Sequence, residues 1–272
     1  MDAGFHRILQ PRRYGGHEFG LPVFYRVVVE IARGCPSTGW ALSLTAAHVL
    51  QVCTVLGEQA QDELLAPEGD FIATSTVAPV GVARADVPGH VVHFTHETSL
   101  LDLPVEGGSV GSQPHGNPMY AGRAPSFFQG EPAAVMIGTV YAADEDARIV
   151  AGRSLLLEPD RTHADLHDYQ RHLGEALGVV RTAEACLRQT AEDCMDACRR
   201  DVSGEAPFTT AEDNRLALTF LNAGRMAWDV LQGIVFRTAG SRHARDGGSA
   251  ASVLSCAGSG ATPSACARNT SR

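Results

Sequence analysis

Apolar residues recur at helical spacing along most of this chain and lose that spacing in the middle. Pro22 to Arg33 (PVFYRVVVEIAR) predicts a helix, with Pro22 suited to a first helical position and Gly34 to a C-terminal cap. Ser37 or Thr38 can cap a second helix running to about Leu56, where Gly57 breaks it. Glu58 to Leu65 predicts a short third helix, closed by Ala66-Pro67. Helical pattern returns from about Met119 to Val150, with a bend expected near Pro132. From about Ala164 to Arg200, Leu166, Tyr169, Leu173, Leu177, Val180, Ala183, Leu187, Ala191, Cys194 and Cys198 form one stripe of 3.6-residue period. Thr209 or Thr210 caps a last helix that runs to about Ala239 and stops at Gly240. Long helices of this kind bury their stripes on one another, so the second half reads as a bundle.

Between these blocks, residues 71–96 carry β-branched residues with Pro and Gly and no helical stripe, which predicts two or three short strands. Residues 100–118 are rich in Gly and Pro and read as loop. Residues 247–272 are mostly Ser, Ala and Gly; so little apolar surface cannot offset the ordering entropy, and disorder is expected. The organisation expected is a helical segment over 1–66, a small β segment over 67–105, a helical bundle over 106–246 and a tail over 247–272.

Composition narrows the chemistry. The chain has 272 residues, 44% hydrophobic and 19% charged, enough apolar material for a real core. A net charge of −9 argues against a general nucleic-acid surface. All 22 basic residues are arginine, which removes P-loop, Schiff-base and general-base lysines together. Seven scattered cysteines show no disulfide framework, and MDAGFHRILQPRR has no apolar leader core, so reduced thiols in a cytoplasm are expected. Between Arg33 and Glu58 no Asp, Glu, Lys or Arg occurs, but Ser37, Thr38, Ser43, Thr45, His48, Gln51 and Thr54 suit a helix buried in protein, and no membrane span is expected.

Several motifs carry side chains capable of chemistry. Gly107-Gly108-Ser109-Val110-Gly111 matches G-x-S-x-G, but the residues after Ser109 cannot form the helix that a nucleophile elbow needs. His90, His93 and His96 recur every third residue; in an extended segment that spacing alternates faces, so no metal site is expected. His163 and His167 lack the Glu-x-x-His pair of a di-iron bundle, and Cys194 and Cys198 lie on the buried stripe as core thiols. His48, inside a polar-studded apolar helix, reads first as a hydrogen-bonded core histidine; Ser75 and Thr76 read as strand or turn residues.

Longer segments carry a resemblance. Gly4-Phe5-His6-Arg7-Ile8-Leu9-Gln10-Pro11-Arg12-Arg13-Tyr14-Gly15-Gly16, Glu30-Ile31-Ala32-Arg33-Gly34-Cys35 with Ser37-Thr38-Gly39-Trp40, and the Ser75 to Gly81 turn all resemble segments of group D flavin-dependent monooxygenases. Asn117-Pro118-Met119-Tyr120, Phe127 to Thr139 and Phe236-Arg237-Thr238-Ala239-Gly240 are similar to further segments of that family. These are the oxygenase parts of two-component phenol hydroxylases, with the acyl-CoA dehydrogenase fold. The resemblance implies a mainly α fold, an acyl-CoA dehydrogenase-like helical bundle with a reduced β segment in the middle. Against the family pattern the chain is expected to be shortened at both ends and in the β-domain.

What the resemblance implies for function is an oxygenase that receives reduced FMN or FAD from a separate flavin reductase and uses O2 to hydroxylate a phenolic or other aromatic substrate. A hydroxyl of Thr76 or Ser75 would donate a hydrogen bond to the flavin, with Ala78 and Pro79 shaping the turn. His48 would polarise or deprotonate the substrate phenol, and Trp40 would line the same pocket. A homodimer or homotetramer is implied. The alternative is a non-catalytic remnant that acts only as a helical, oligomerising protein.

Overall fold

The computed structural model describes residues 4–55, 57–65, 81–87, 90–96, 115–121 and 124–242. Two single-turn helices, Phe5–Arg7 and Arg12–Tyr14, precede α1 (Leu21–Gly34), α2 (Pro36–Val55) and α3 (Glu58–Leu64). Strands β1 (Gly81–Val87) and β2 (His90–His96) follow, then α4 (Ala124–Ala151), α5 (His167–Ser203) and α6 (Thr210–Arg242). The protein is mainly α, as its periodicity predicts. β1 and β2 pair antiparallel, with Gly81 opposite His96 and Val87 opposite His90. Ser75, Thr76, Ala78, Pro79, the Ser109 motif and the Ser/Ala/Gly tail lie outside the described residues.

Four boundaries differ from expectation, each for a local reason. Gly34 is the last residue of α1 and takes no left-handed φ, because Cys35 N–H still bonds Ile31 O at 2.8 Å. Neither Ser37 nor Thr38 precedes α2: Pro36 opens the helix, its fixed φ already helical, and both residues fall inside the first turn. The Thr38 hydroxyl, and after it the N–H groups of Thr38 and Ser37, hold the Cys35 thiol below its ordinary value against the opposing effect of burial. Met119 belongs to a separate single turn, Pro118–Ala121, fixed by Asn117, whose Oδ1 accepts from Met119 N at 3.0 Å; α4 begins only at Ala124. α6 passes through Gly240 to Arg242, since a helical glycine costs only about 1 kcal/mol.

α5 buries its stripe from Val180 onward, whereas Leu166, Tyr169, Leu173 and Leu177 stay partly exposed. α5 stops where Gly204 takes φ +74°, a left-handed cap that leaves Gly204 N–H on Asp201 O. Thr209 caps α6, its Oγ1 accepting from Glu212 N at 3.2 Å.

The residues group into two compact units. One draws on 1–24, 42–128 and 192–215, the other on 25–41, 129–191 and 216–272. In the second unit glycine lets backbones meet. A Cβ on Gly138 of α4 would lie 2.4 Å from Val29 O and 2.6 Å from Ala32 Cβ of α1. A Cβ on Gly39 of α2 would lie 2.7 Å from Ala32 Cβ. Small residues thus set the spacing of α1, α2 and α4 where they cross.

Candidate functional site

The best-defined polar constellation lies in the first unit, where the motif-bearing N-terminal segment is locked in place. Gly15 adopts φ +76°, and a side chain on Gly16 would strike Gln10 O at 2.0 Å, so Arg13-Tyr14-Gly15-Gly16 must carry two glycines to turn this tightly. The turn aims Arg13 and Tyr14 at α3. Arg13 pairs with Glu58 at 2.6 Å and Asp62 at 3.0 Å, and Tyr14 OH donates to Asp62 Oδ1 at 2.6 Å. Across the segment, Tyr120 OH donates to Leu9 O at 2.8 Å and Asn117 Nδ2 to Glu18 O at 3.1 Å. The two stretches singled out by resemblance, 4–16 and 117–120, are therefore bonded to each other.

His115 stands between their two tyrosine rings. Its ring meets Tyr120 edge-on at 4.8 Å and Tyr14 edge-on at 6.0 Å. Nε2 lies 2.6 Å from Gln61 Oε1, while Gln61 Nε2 donates to Cys53 O at 3.2 Å. That second bond orients the amide, so Gln61 Oε1 accepts and His115 Nε2 carries the proton. Nδ1 is then a buried acceptor with no hydrogen-bond partner among the described residues. Burial, and next the positive charge of Arg13, lower the His115 pKa; Glu18 and Glu58 oppose them. Burial likewise raises the Tyr14, Tyr120 and Cys53 values, with the Asp62 bond adding to the rise at Tyr14. The cluster holds neutral groups: an imidazole able to accept a proton or a hydrogen bond, ringed by phenols kept protonated.

The residues expected from the sequence are distributed unevenly. His48 is buried in α2 at 4% exposure. Trp40, near the start of the same helix, is 45% exposed. Ser75, Thr76, Ala78 and Pro79 lie outside the described residues. Sequence reasoning gave no role to His115, Tyr14 or Gln61. The available signal is indirect: Arg13-Tyr14-Gly15-Gly16 and Asn117-Pro118-Met119-Tyr120 both carry the resemblance, but the imidazole joining them sits in a Gly/Pro stretch without periodicity. Among the described residues no group of three or more His, Cys, Asp or Glu could hold a metal ion. None of the described helices is long and apolar enough to cross a membrane.

The fold itself has close counterparts. It is acyl-CoA dehydrogenase-like, the helical architecture of flavin monooxygenases. The structure of 3-HSA hydroxylase from Rhodococcus sp. RHA1 superposes with a TM-score of 0.68, covering 91% of this chain and 79% of that one at 18% identity. HsaA monooxygenase from M. tuberculosis gives 0.70 over 90% of this chain and 78% of its own, at 15% identity. XiaF from Streptomyces sp., determined with FADH2 and glycerol, gives 0.67 over 86% of this chain and 75% of its own, at 17% identity.

Sequence points the same way over a shorter stretch. Over 91 residues, 34% of this chain, it is 37% identical to the oxygenase component of p-hydroxyphenylacetate 3-hydroxylase from Acinetobacter baumannii. Over 93 residues it is 33% identical to HsaA, the oxygenase subunit of a flavin-dependent monooxygenase from Rhodococcus jostii. The chain spans 21% and 24% of the length of these two relatives. No family model matches the chain.

Proposed function

We propose that the chain works as the oxygenase component of a two-component, flavin-dependent monooxygenase that hydroxylates a phenolic or other aromatic substrate. The observation that carries this reading is the agreement of fold over 91% of the chain with a hydroxylase of that class. The sequence likeness to an oxygenase component supports it independently. In this reading a flavin reductase is the partner, the setting is the cytoplasm, and the chain assembles with copies of itself as a dimer or tetramer.

Support for a substrate-directed base comes from α2, which carries a buried imidazole at His48. The indole of Trp40, half-open near the start of that helix, has a face able to stack on a planar ring. Reduced FMN or FAD, when bound, supplies the two electrons that O2 activation needs. His48, buried and so insulated from bulk water, accepts the proton of the substrate hydroxyl or holds it in a strong hydrogen bond, which makes the ring more electron-rich. Thr76, with Ser75 beside it, donates a hydroxyl hydrogen bond toward the flavin, next to Ala78 and Pro79.

The test combines the purified chain with a flavin reductase, NADH, 18O2 and a panel of phenols. Transfer of one 18O atom into a product is expected; no labelled product with any phenol overturns the reading. His48→Ala should slow hydroxylation by about 100-fold or more while leaving flavin affinity within a few-fold. Equal loss of both refutes a substrate-directed role for His48.

A further inference from the structure

The connection between α4 and α5 holds two leucines almost entirely in water. Leu156 and Leu157 are each 91% exposed. They do not sit on a loose tip. Ser154 bridges Thr162 across the loop, Leu155 N–H bonds Arg161 O at 2.8 Å, and His163 N–H bonds Arg153 O at 3.1 Å. Arg161 pairs with Glu158 at 2.6 Å, and Asp165 Oδ2 accepts from both Thr162 N and Thr162 Oγ1. The backbone is tied on both sides of the tip, so the apolar pair is presented in a fixed direction and cannot fold back to bury itself. Two adjacent, fully wetted leucines on a braced loop mark a contact surface.

The same unit carries a matching surface. On α6, Leu218 is 60% exposed and Leu221 40% exposed, and Arg225 follows at the next turn; the spacing of three and four residues puts all three on one helix face. Arg225 is exposed and makes no ion pair among the described residues. On the loop, Asp160 follows the leucines, is also exposed, and likewise has no ion pair among the described residues. One surface reads apolar, apolar, acidic; the other reads apolar, apolar, basic.

We propose that the Leu156–Leu157 loop of one copy docks on the Leu218–Leu221–Arg225 face of α6 in a second copy, with Asp160 meeting Arg225. Because each chain carries both surfaces, a two-fold axis makes the contact twice and closes the assembly. Four leucines per contact lose water, and the unpaired charges meet at the rim, where they set register more than affinity. The inference rests on the homo-oligomer reading above but not on the chemistry proposed at His48.

Sedimentation velocity over a concentration series, with light scattering of the eluted full-length chain, reads the assembly directly. Wild type is expected to be an even-numbered oligomer. Leu156→Ser with Leu157→Ser should raise the dissociation constant at least about tenfold while leaving the helical circular-dichroism spectrum unchanged, since neither side chain is buried within one copy. Asp160→Arg and Arg225→Glu should each weaken assembly several-fold, and the two together in one chain should restore it. An oligomer indifferent to the leucine substitutions overturns this surface and leaves the homo-oligomer reading standing. A wild type that stays monomeric overturns both, including the case in which the loop binds only a different protein such as the reductase. Failure of the double charge reversal to rescue overturns the Asp160–Arg225 pairing.

Discussion

In the unit drawn from 1–24, 42–128 and 192–215, interior polar groups are chained together. Cys53 O holds the Gln61 amide, Gln61 holds His115, and Tyr14 and Tyr120 flank the imidazole while bonding to Asp62 and Leu9. In the other unit small residues set the closest helix approaches, and two carboxyls, Glu131 and Asp144, are buried among the described residues. Glu131 of α4 is 2% exposed, its Oε1 has no hydrogen-bond partner among the described residues, and burial alone raises its pKa well above the ordinary value. The contrast teaches that a buried polar atom means different things in different company. Where neighbours fix a tautomer and supply rings, an orphaned lone pair is a chemical resource; where burial alone acts on the group, it is a cost.

The largest effect should come from the close-packed unit. Gly138→Ala ought to gain up to about 1 kcal/mol in helix propensity. Yet the new methyl would sit 2.4 Å from a backbone oxygen of α1, which cannot step aside. Overpacking of this kind costs roughly 1–3 kcal/mol, so a net loss in urea unfolding is expected. An unchanged or higher midpoint would break the claim that glycine sets the helix spacing.

Next comes Glu131. Its folded pKa is raised, so the unfolded chain gives up this proton first as pH rises. Stability from this group is therefore intact below the unfolded value near 4.5 and falls as pH climbs above it. Glu131→Gln removes the titration. It should be more stable than wild type at pH 8, by on the order of 1 kcal/mol, with the gap shrinking toward pH 4. A gap that is constant with pH would mean that the carboxyl is not held neutral.

His115 has the opposite sign. Its folded pKa is lowered, so the unfolded chain binds the proton first as pH drops through about 6.5. Stability from this group is complete above that value and declines below it. Arg13, Glu18 and Glu58 are the charges acting on the ring. Denaturation at pH 5.5 and 7.5 should show a smaller acid loss for His115→Asn than for wild type; identical losses would take the imidazole out of the account.

The smallest effect lies on α5. Gly178 has nothing within 4 Å of the position a Cβ would take. Gly178→Ala should stabilise by roughly 0.5–1 kcal/mol, as an open helical glycine allows. Side by side with Gly138→Ala, the same substitution should change sign with its surroundings.

Much of this architecture can be read before any coordinates. Pro22, Gly57 and the 3.6-residue stripe of α5 mark helices because they act through neighbours close in the chain. The resemblance of residues 4–16 and 117–120 also pointed to segments that the fold bonds together. What stayed hidden was long-range. Nothing near Gly138 announces Val29 as its neighbour, and nothing in Gln-Pro-His-Gly-Asn says that His115 faces Gln61, more than fifty residues earlier. Burial of His48 followed from its apolar helix; the roles proposed for Thr76 and Ser75 rest on resemblance and await the reaction itself.

Reduced-flavin binding tests the central claim most directly. Under anaerobic conditions the chain is titrated with FMNH2 and with FADH2, and free flavin is separated by rapid filtration. Saturable uptake of at least one of them, near one per chain, is the expected result. A protein that melts as one cooperative helical unit yet retains neither flavin would contradict the account and leave a helical scaffold in its place.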